Sequence, residues 1–173
     1  LAEFTDLTDT QVRKDFSYFG QFGISGTGYE VASLKKAIEN ILGKDKAMDV
    51  ILIGTGNLGS ALLSYPGFKE HGFKAKAAFD IDTRKIGQKI SNVEVYDSEK
   101  VQDFIKKEKI KIAILTVPAF SAQKITDTLV ASGIRCILNF APIILKAPEE
   151  VLVSNVDLSR ELEIFSYFIK SSE

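Results

Sequence analysis

The chain of 173 residues contains no tryptophan, one methionine, one cysteine and one histidine. A single cysteine, Cys136, excludes an internal disulfide and a thiolate metal site, and the lone His71 excludes a histidine cluster for zinc. Because Cys136 lies within the apolar run 134–138, we expect a buried, unreactive thiol. His71 lies in a predicted loop, and we expect it to be exposed. The sequence therefore predicts neither a catalytic residue nor a metal site.

Long hydrophobic runs and a charge imbalance are also missing. No stretch approaches 18 apolar residues and no secretory leader opens the chain, so we expect a cytoplasmic location. Lys plus Arg number 22 and Asp plus Glu number 23, for a net charge of −1. With 45% hydrophobic and 26% charged residues, the composition excludes a disordered chain, a collagen and a disulfide scaffold.

The first 43 residues have a pattern of their own. A helix is predicted from Asp9 to Phe19, with good capping residues at its start and Gly20 at its end. The glycine-dense segment 20–29 is typical of a tight β-hairpin. Ser33 then caps a second predicted helix, which ends at Gly43. Residues 43–46 form the predicted linker.

After the linker, apolar β-branched runs alternate with helical segments. The predicted strands are Val50–Ile53, Ala77–Ile81, Val93–Tyr96, Ile110–Val117 and Ile134–Phe140. The predicted helices are Gly56–Ser64, Ser98–Lys107 and Ser121–Ser132. This alternation predicts the α/β class, with a doubly wound parallel sheet of the Rossmann type.

A G-x-G-x-x-G motif directly follows the first of these strands and opens a helix. Its residues are Gly54, Thr55, Gly56, Asn57, Leu58 and Gly59. In that context the first glycine makes a tight turn, the second admits a pyrophosphate and the third lets the helix pack closely. Asp80 ends the next strand about 20 residues further on, where an acid binds the adenosine ribose and favours NAD over NADP. Asp82 is a second candidate for this contact, because the strand end can shift by two residues.

Two further strand ends are candidates for the nicotinamide side of the site. They contribute Thr116, Val117 and Pro118 from one strand, and Asn139 and Phe140 from the next. Ligands of open α/β sheets bind at the carboxyl ends of strands, although proline also simply terminates strands.

The sequence lacks a proton donor for hydride-transfer chemistry, and too few residues remain for a substrate domain. We therefore expect a module that binds a nicotinamide cofactor without turning it over. Two alternatives stay open: the NAD-binding domain of a dehydrogenase or reductase, and a CoA-binding module, against which Asp80 argues.

Four separated segments carry a family resemblance. Residues 11–20, 26–29, 54–59 and 155–162, in this order, resemble the bacterial redox-sensing transcriptional repressor Rex family. The resemblance implies a winged-helix DNA-binding domain at 1–43, an NAD(H)-binding Rossmann domain at 44–156 and a C-terminal helix at 157–173. It also implies a homodimer that exchanges this helix, represses transcription at operator DNA and is released from DNA by NADH.

The resemblance assigns roles to individual residues. It places Gln11, Arg13, Lys14 and Ser17 on the recognition helix and Tyr29 in the wing, all as DNA contacts. It places Tyr65 close to the nicotinamide, and Asp157 as its partner in one redox state. From the residues alone, Tyr65 merely ends a helix before Pro66, and Asp157 is a good cap for the tail helix.

The chain departs from the family pattern at its amino end. It begins with Leu1, inside the winged-helix domain that the resemblance implies. Residues 1–43 carry four basic and six acidic side chains, the wrong sign for holding phosphates, and Ser25 stands where relatives often have a basic residue. We expect cofactor binding from this chain and leave its DNA binding open.

The tail is predicted to be an amphipathic helix that follows Asp157. One apolar stripe is formed by Leu158, Leu162, Phe165, Phe168 and Ile169. The stripe can pack on the sheet of its own chain or on a partner. The family resemblance favours the partner and a symmetric homodimer.

Overall fold

The computed structural model describes residues 7–18, 20, 23, 24, 28–44 and 46–171. The chain divides into two compact units, Leu1–Ala47 and Met48–Glu173.

In its described residues, the amino-terminal unit has two helices with a short hairpin between them in the sequence. Its elements are α1 (Asp9–Tyr18), β1 (Gly23–Ile24), β2 (Gly28–Tyr29) and α2 (Val31–Ile41). The antiparallel pairing of β1 and β2 agrees with the predicted hairpin. The predicted helix end at Phe19 and residues 25–27, with Ser25, lie outside the described residues. Phe16 of α1 packs edge-on against Tyr29, with ring centroids 5.6 Å apart.

The cap of α2 corrects one prediction. The carboxylate of Glu30 accepts hydrogen bonds from the backbone N–H groups of Ala32 and Ser33, at 3.1 and 2.7 Å. Glu30 is therefore the N-cap, and Ser33 lies inside the helix. Short polar side chains are the usual caps, which is why the sequence pointed to Ser33.

The second unit is built on a seven-stranded sheet. Its strands are β3 (Met48–Ile53), β4 (Phe73–Asp80), β5 (Lys89–Ile90), β6 (Val93–Asp97), β7 (Ile112–Leu115), β8 (Cys136–Asn139) and β9 (Leu152–Asn155). Their order is β5-β6-β4-β3-β7-β8-β9, and all neighbours are parallel except β5 and β6. The parallel part has the Rossmann order, with the switch point between β3 and β7.

Helices cover both faces of this sheet. They are α3 (Asn57–Leu63), α4 (Pro66–Glu70), α5 (Val101–Glu108, preceded by a 3₁₀ turn at Ser98–Lys100) and α6 (Ala119–Ser132). The tail helix α7 (Leu158–Ser171) follows the last strand, and its residues are all exposed. None of the described helices is both long and apolar enough to cross a membrane.

Alternation along β3 shows how the core is divided. Ile51 and Ile53 belong to one buried cluster, together with Phe79 and with Ile105 from α5. Val50 and Leu52 belong to a second cluster, which includes residues of α3 and α4. Because successive side chains of a strand point to opposite faces, these clusters are the two cores on either side of the sheet.

The sequence patterns do not predict three short elements: α4, β5 and β9. β5 has two residues and α4 five, too few for a periodic signal, and β9 is an edge strand with mostly exposed residues. Cys136 is half-buried as the first residue of β8, which corrects the expectation of full burial. His71 is exposed, as expected.

Helix α7 exposes its apolar residues. Leu158, Leu162, Phe165 and Ile169 of the predicted stripe are each at least 60% exposed. The carboxylate of Asp157 accepts a hydrogen bond from the N–H of Ser159 at 3.0 Å, so Asp157 caps this helix as predicted.

Candidate functional site

The glycine motif lies at the switch point, between the carboxyl ends of β3 and β7. Gly54 has φ +93°, a value that L side chains rarely adopt, and a Cβ there would lie 2.6 Å from the carbonyl oxygen of Thr116. A Cβ on Gly59 would overlap the carbonyl oxygen of Gly54. A Cβ on Gly56, by contrast, would meet no atom within 4 Å. The first and third glycines are thus required by the protein itself, and the second borders open space.

Thr116 holds this loop from the neighbouring strand end. Its hydroxyl donates to the carbonyl oxygen of Gly54 at 2.6 Å, and its backbone N–H donates to the carbonyl oxygen of Ile53 at 2.9 Å. The side chain predicted for the nicotinamide side is thereby engaged with the glycine loop. Val117 is half-buried beside Gly54, and the exposed Pro118 is the N-cap residue of α6.

Asp80 accepts hydrogen bonds from several groups on the other side of the loop. Its Oδ2 atom accepts hydrogen bonds from the backbone N–H of Thr55 at 2.7 Å, from the Thr55 hydroxyl and from the Lys85 ammonium at 3.3 Å. Its Oδ1 atom accepts from the backbone N–H of Asp82 at 2.9 Å. Lys85 also donates to the carbonyl oxygen of Thr55 at 3.0 Å. One carboxylate therefore fixes the end of β4 against the glycine loop.

These contacts control the ionisation of the carboxylate. Burial raises the pKa of Asp80, but the hydrogen bonds from Thr55, Asp82 and Lys85 outweigh burial and lower this pKa to about 2. The pKa of Asp82 is also lowered to about 2, chiefly by hydrogen bonds from Arg84, whose guanidinium lies 2.8 Å from the carboxylate. The two candidates for the ribose contact therefore have different partners: Asp80 binds the glycine loop, whereas Asp82 forms an ion pair with Arg84.

The remaining cofactor candidates lie on the same edge of the sheet or on the segments that follow it. Asn57 and Leu58 are exposed in the first turn of α3. Tyr65 lies between helices, as the N-cap residue of α4, and is 57% exposed with its ring against Phe68. This placement corrects the expectation that Tyr65 ends the helix after the glycine loop, because that helix, α3, ends at Leu63 with Ser64 as its C-cap.

Asn139 and Phe140 occupy the end of β8. Asn139 is fully buried, whereas Phe140 is half-buried. The backbone N–H of Phe140 donates to the carbonyl oxygen of Leu115 at 2.9 Å, which aligns this strand end with β7. Asp157 is exposed at the start of α7.

The candidate DNA contacts lie in the amino-terminal unit. Gln11, Arg13, Lys14 and Ser17 are all exposed on α1. The Ser17 hydroxyl donates to the carbonyl oxygen of Lys14 at 2.6 Å. Tyr29 is half-buried against Phe16, so its ring has a structural role.

Lys85, which binds Asp80, escaped sequence reasoning because it lies in a turn after β4, where nothing in the spacing marks it. Asn155, the last residue of the unpredicted strand β9, escaped it as well; it lies outside the candidate cofactor contacts and binds Asn139. Within the described residues, no three His, Cys, Asp or Glu side chains are grouped as a metal ion would require.

The fold and the site together define a Rossmann-type nucleotide-binding protein. A family profile described as the CoA binding domain matches residues 45–143. The redox-sensing transcriptional repressor Rex of Pelotomaculum thermopropionicum is 44% identical over 173 residues, which is all of this chain and 81% of the relative.

The solved structures that match at similar identity include two complexes of RSP. RSP in complex with β-NAD⁺ and operator DNA has a TM-score of 0.86 and 45% identity, and the match covers 99% of this chain and 79% of RSP. RSP in complex with β-NADH has a TM-score of 0.77 and 43% identity, with 99% and 80% covered. The chain belongs to the redox-sensing transcriptional repressor Rex family, and residues 45–143 belong to the CoA binding domain family. Its relatives are repressors and not enzymes.

The second and third glycines of the motif give a stability prediction. Gly59→Ala should destabilise the protein by about 1–3 kcal/mol, because the new methyl group overlaps backbone. Gly56→Ala should change the free energy of unfolding by less than about 1 kcal/mol, because its φ of −67° suits alanine and the space is open. Chemical denaturation measures both. Equal losses in the two variants would contradict the assigned roles.

The lowered pKa of Asp80 gives a pH prediction. A carboxylate whose pKa is lower in the folded state stabilises the fold above its ordinary pKa, and loses this contribution as the pH falls from about 4 to about 2. Asp80→Asn should therefore cost about 2 kcal/mol of unfolding free energy at pH 6 and much less at pH 2. Denaturation at both pH values measures this, with the exposed Asp103→Asn as control for the loss of one carboxylate. A pH-independent cost for Asp80→Asn would contradict the prediction.

Proposed function

We propose that this chain is an NADH-sensing transcriptional repressor that leaves operator DNA when NADH is bound. The observation that carries the proposal is the glycine loop fixed by Asp80 at the switch point, in a chain that matches Rex repressors over its whole length. RSP, which it resembles at 43–45% identity, has been solved with β-NAD⁺ and operator DNA and with β-NADH.

The residues of the glycine loop fit a dinucleotide. The open space at Gly56 suits a pyrophosphate that approaches the backbone. Hydrogen bonds to Thr116 on one side and to Asp80 on the other hold the loop in the conformation that leaves this space open. Thr55, Asn57 and Leu58 complete the loop and the first turn of α3. The cofactor supplies a redox signal when bound, because its nicotinamide ring is charged only in the oxidised form.

Asp80 is assigned to the adenosine ribose. Its Oδ2 atom is used by Thr55 and Lys85, whereas Oδ1 has one protein donor, the N–H of Asp82. A carboxylate oxygen accepts more than one hydrogen bond, so Oδ1 retains capacity for a ribose hydroxyl. Asp82 remains the second candidate, because it lies two residues further along the same edge.

The nicotinamide half is assigned to the ends of β7 and β8. Thr116, Val117 and Pro118 follow β7, and Asn139 and Phe140 end β8. Tyr65 and Asp157 join this half as the residues that respond to the redox state. All seven assignments rest on the Rossmann rule that ligands bind at the carboxyl ends of strands, together with the family resemblance.

The DNA-binding face is assigned to α1 and the hairpin. Gln11, Arg13, Lys14 and Ser17 share an exposed helix, as a recognition helix requires. Tyr29 supports this helix through Phe16. A regulator of bacterial operator DNA works in the cytoplasm, and this is the location we propose.

The assembly is assigned to helix α7. A helix whose apolar stripe is at least 60% exposed lacks the burial that such residues normally obtain. A second copy of the chain offers the same stripe and a symmetric way to cover it. We therefore assign a homodimer held together through α7.

CoA binding is a second candidate, favoured by the family profile over residues 45–143. Asp80 argues against it, because an ionised carboxylate at the ribose repels a ribose phosphate. Competition between NADH and CoA for the protein distinguishes the two, and displacement of NADH by CoA at equal concentration would favour the second candidate.

The operator experiment tests the proposal directly. Operator DNA is titrated with the protein at fixed salt, with no nucleotide, with NADH and with NADPH. NADH should weaken operator binding, and NADPH should do so only at a concentration at least about tenfold higher, the loss expected when a charge-assisted contact is replaced by repulsion. Operator affinity that is indifferent to NADH would contradict the proposal.

Matched variants test which residues bind NADH and which cause the preference for NADH over NADPH. Gly56→Ala should fold normally but weaken NADH binding, because the methyl group occupies the space assigned to the pyrophosphate. Asp80→Asn should remove the preference for NADH over NADPH, whereas Asp82→Asn should retain it. A titration by NADH fluorescence measures all three, and loss of the preference in Asp82→Asn alone would contradict the assignment to Asp80.

Variants of the tail test the homodimer. Leu162→Glu places a charge in the apolar stripe and should shift the protein from dimer to monomer at micromolar concentration. Arg160→Gln makes the same change in net charge on the opposite helix face and should leave the dimer intact. Sedimentation velocity measures both, and a dimeric Leu162→Glu variant would contradict the role of α7.

A further inference from the structure

Asn139, the last residue of β8, carries a buried amide that contacts two parts of the chain. Its Oδ1 atom accepts a hydrogen bond from the N–H of Ala141 at 2.9 Å. Its Nδ2 atom lies 3.2 Å from the carbonyl oxygen of Ala141 and 2.9 Å from that of Ile143. The side chain is fully buried, and these contacts fix the course of the loop that follows β8.

The same amide also reaches strand β9. Its Nδ2 atom donates to Oδ1 of Asn155 at 2.8 Å, and the two residues are paired in the parallel register of β8 and β9. The backbone supports this contact, because the N–H of Val156 donates to the carbonyl oxygen of Asn139 at 2.8 Å. One link ends at Asn155, the last residue of β9, and the other at Val156, which follows it.

The tail helix begins immediately after this point. Asp157, two residues after Asn155, caps α7 through the N–H groups of Ser159 and Arg160, at 3.0 and 3.4 Å. The origin of α7 is therefore joined to the loop after β8 by one side chain and one backbone hydrogen bond.

The two N–H groups of the amide have their shortest contacts to Ile143 and Asn155, at 2.9 and 2.8 Å, so displacing either partner leaves one N–H with only the longer contact to Ala141. Weakening a buried hydrogen bond costs free energy, so the loop and the end of β9 favour the positions that keep both short contacts. The Asn139–Asn155 hydrogen bond is thus a short physical connection between a loop of the nicotinamide half and the root of α7.

We propose that Asn139 is a positioning residue that transmits ordering of the loop after β8, through Asn155, to the root of the tail helix. This inference rests on the proposed function, which puts the nicotinamide at that loop and the dimer contact in α7. In the NADH-bound protein the loop is held, and the amide holds the end of β9 and the cap of α7 with it.

The test compares amide hydrogen exchange with and without NADH in four proteins. They are the wild type, Asn155→Leu, which removes the acceptor, Asn155→Asp, which replaces the accepting amide oxygen with an accepting carboxylate oxygen, and the exposed neighbour variant Ser154→Val. NADH titration by fluorescence accompanies each exchange measurement, and the peptides followed contain Val156, Ser159 and Arg160.

NADH should slow exchange at these amides by about tenfold in the wild type, in Asn155→Asp and in Ser154→Val. In Asn155→Leu, NADH should bind within about threefold of the wild-type affinity and leave these amides unchanged, since the acceptor lies outside the assigned binding contacts. The measured quantity is the ratio of the exchange rates without and with NADH. A purely structural role of Asn155 would change both rates and leave this ratio unaltered.

Two results overturn the inference while the proposed function stands. One is an Asn155→Leu protein in which NADH still slows exchange at the root of α7, and the other is an Asn155→Asp protein that loses the effect as fully as Asn155→Leu. A wild-type protein that does not bind NADH contradicts the proposed function itself, and the inference with it.

Discussion

The arrangement of the site depends on one carboxylate at the end of one strand. Asp80 ties the end of β4 to the loop after β3 through both the backbone and the hydroxyl of Thr55. From the other side, Thr116 ties the same loop to β7. Because the loop is held at both ends before any ligand arrives, the free energy of binding is not reduced by the cost of ordering it. The open space at Gly56 is what these two strand ends leave between them.

Much of this was predictable from the sequence, for a physical reason. Buried parallel strands are continuous apolar runs, and a glycine motif between such a strand and a helix is typical of a nucleotide-binding loop, so the sheet, the loop and Asp80 were found. The network around them was not predictable. Lys85 and Asn155 make hydrogen bonds to residues of other segments, and local periodicity does not predict such contacts. Glu30 caps α2, although serine, as at Ser33, is the more usual cap residue.

Helices α1 and α7 lie outside the Rossmann domain and suit the two macromolecular contacts that we propose. The exposed polar residues of α1 suit contact with DNA, and the exposed apolar residues of α7 suit contact with a second copy. A ligand bound at the carboxyl edge of the sheet changes the behaviour of α1 or α7 only if the protein has two conformations and the ligand binds one of them more tightly. The connection from the end of β8 to the origin of α7 gives such a difference a structural route.

In the function that we propose, NADH and operator DNA bind to opposing states of one protein. Linkage then requires that operator weakens NADH binding by the same factor by which NADH weakens operator binding. The most direct measurement is an NADH titration by calorimetry, with and without saturating operator, at one salt concentration. We expect the dissociation constant for NADH to rise by about tenfold or more when operator is present. Identical dissociation constants in the two titrations would contradict it.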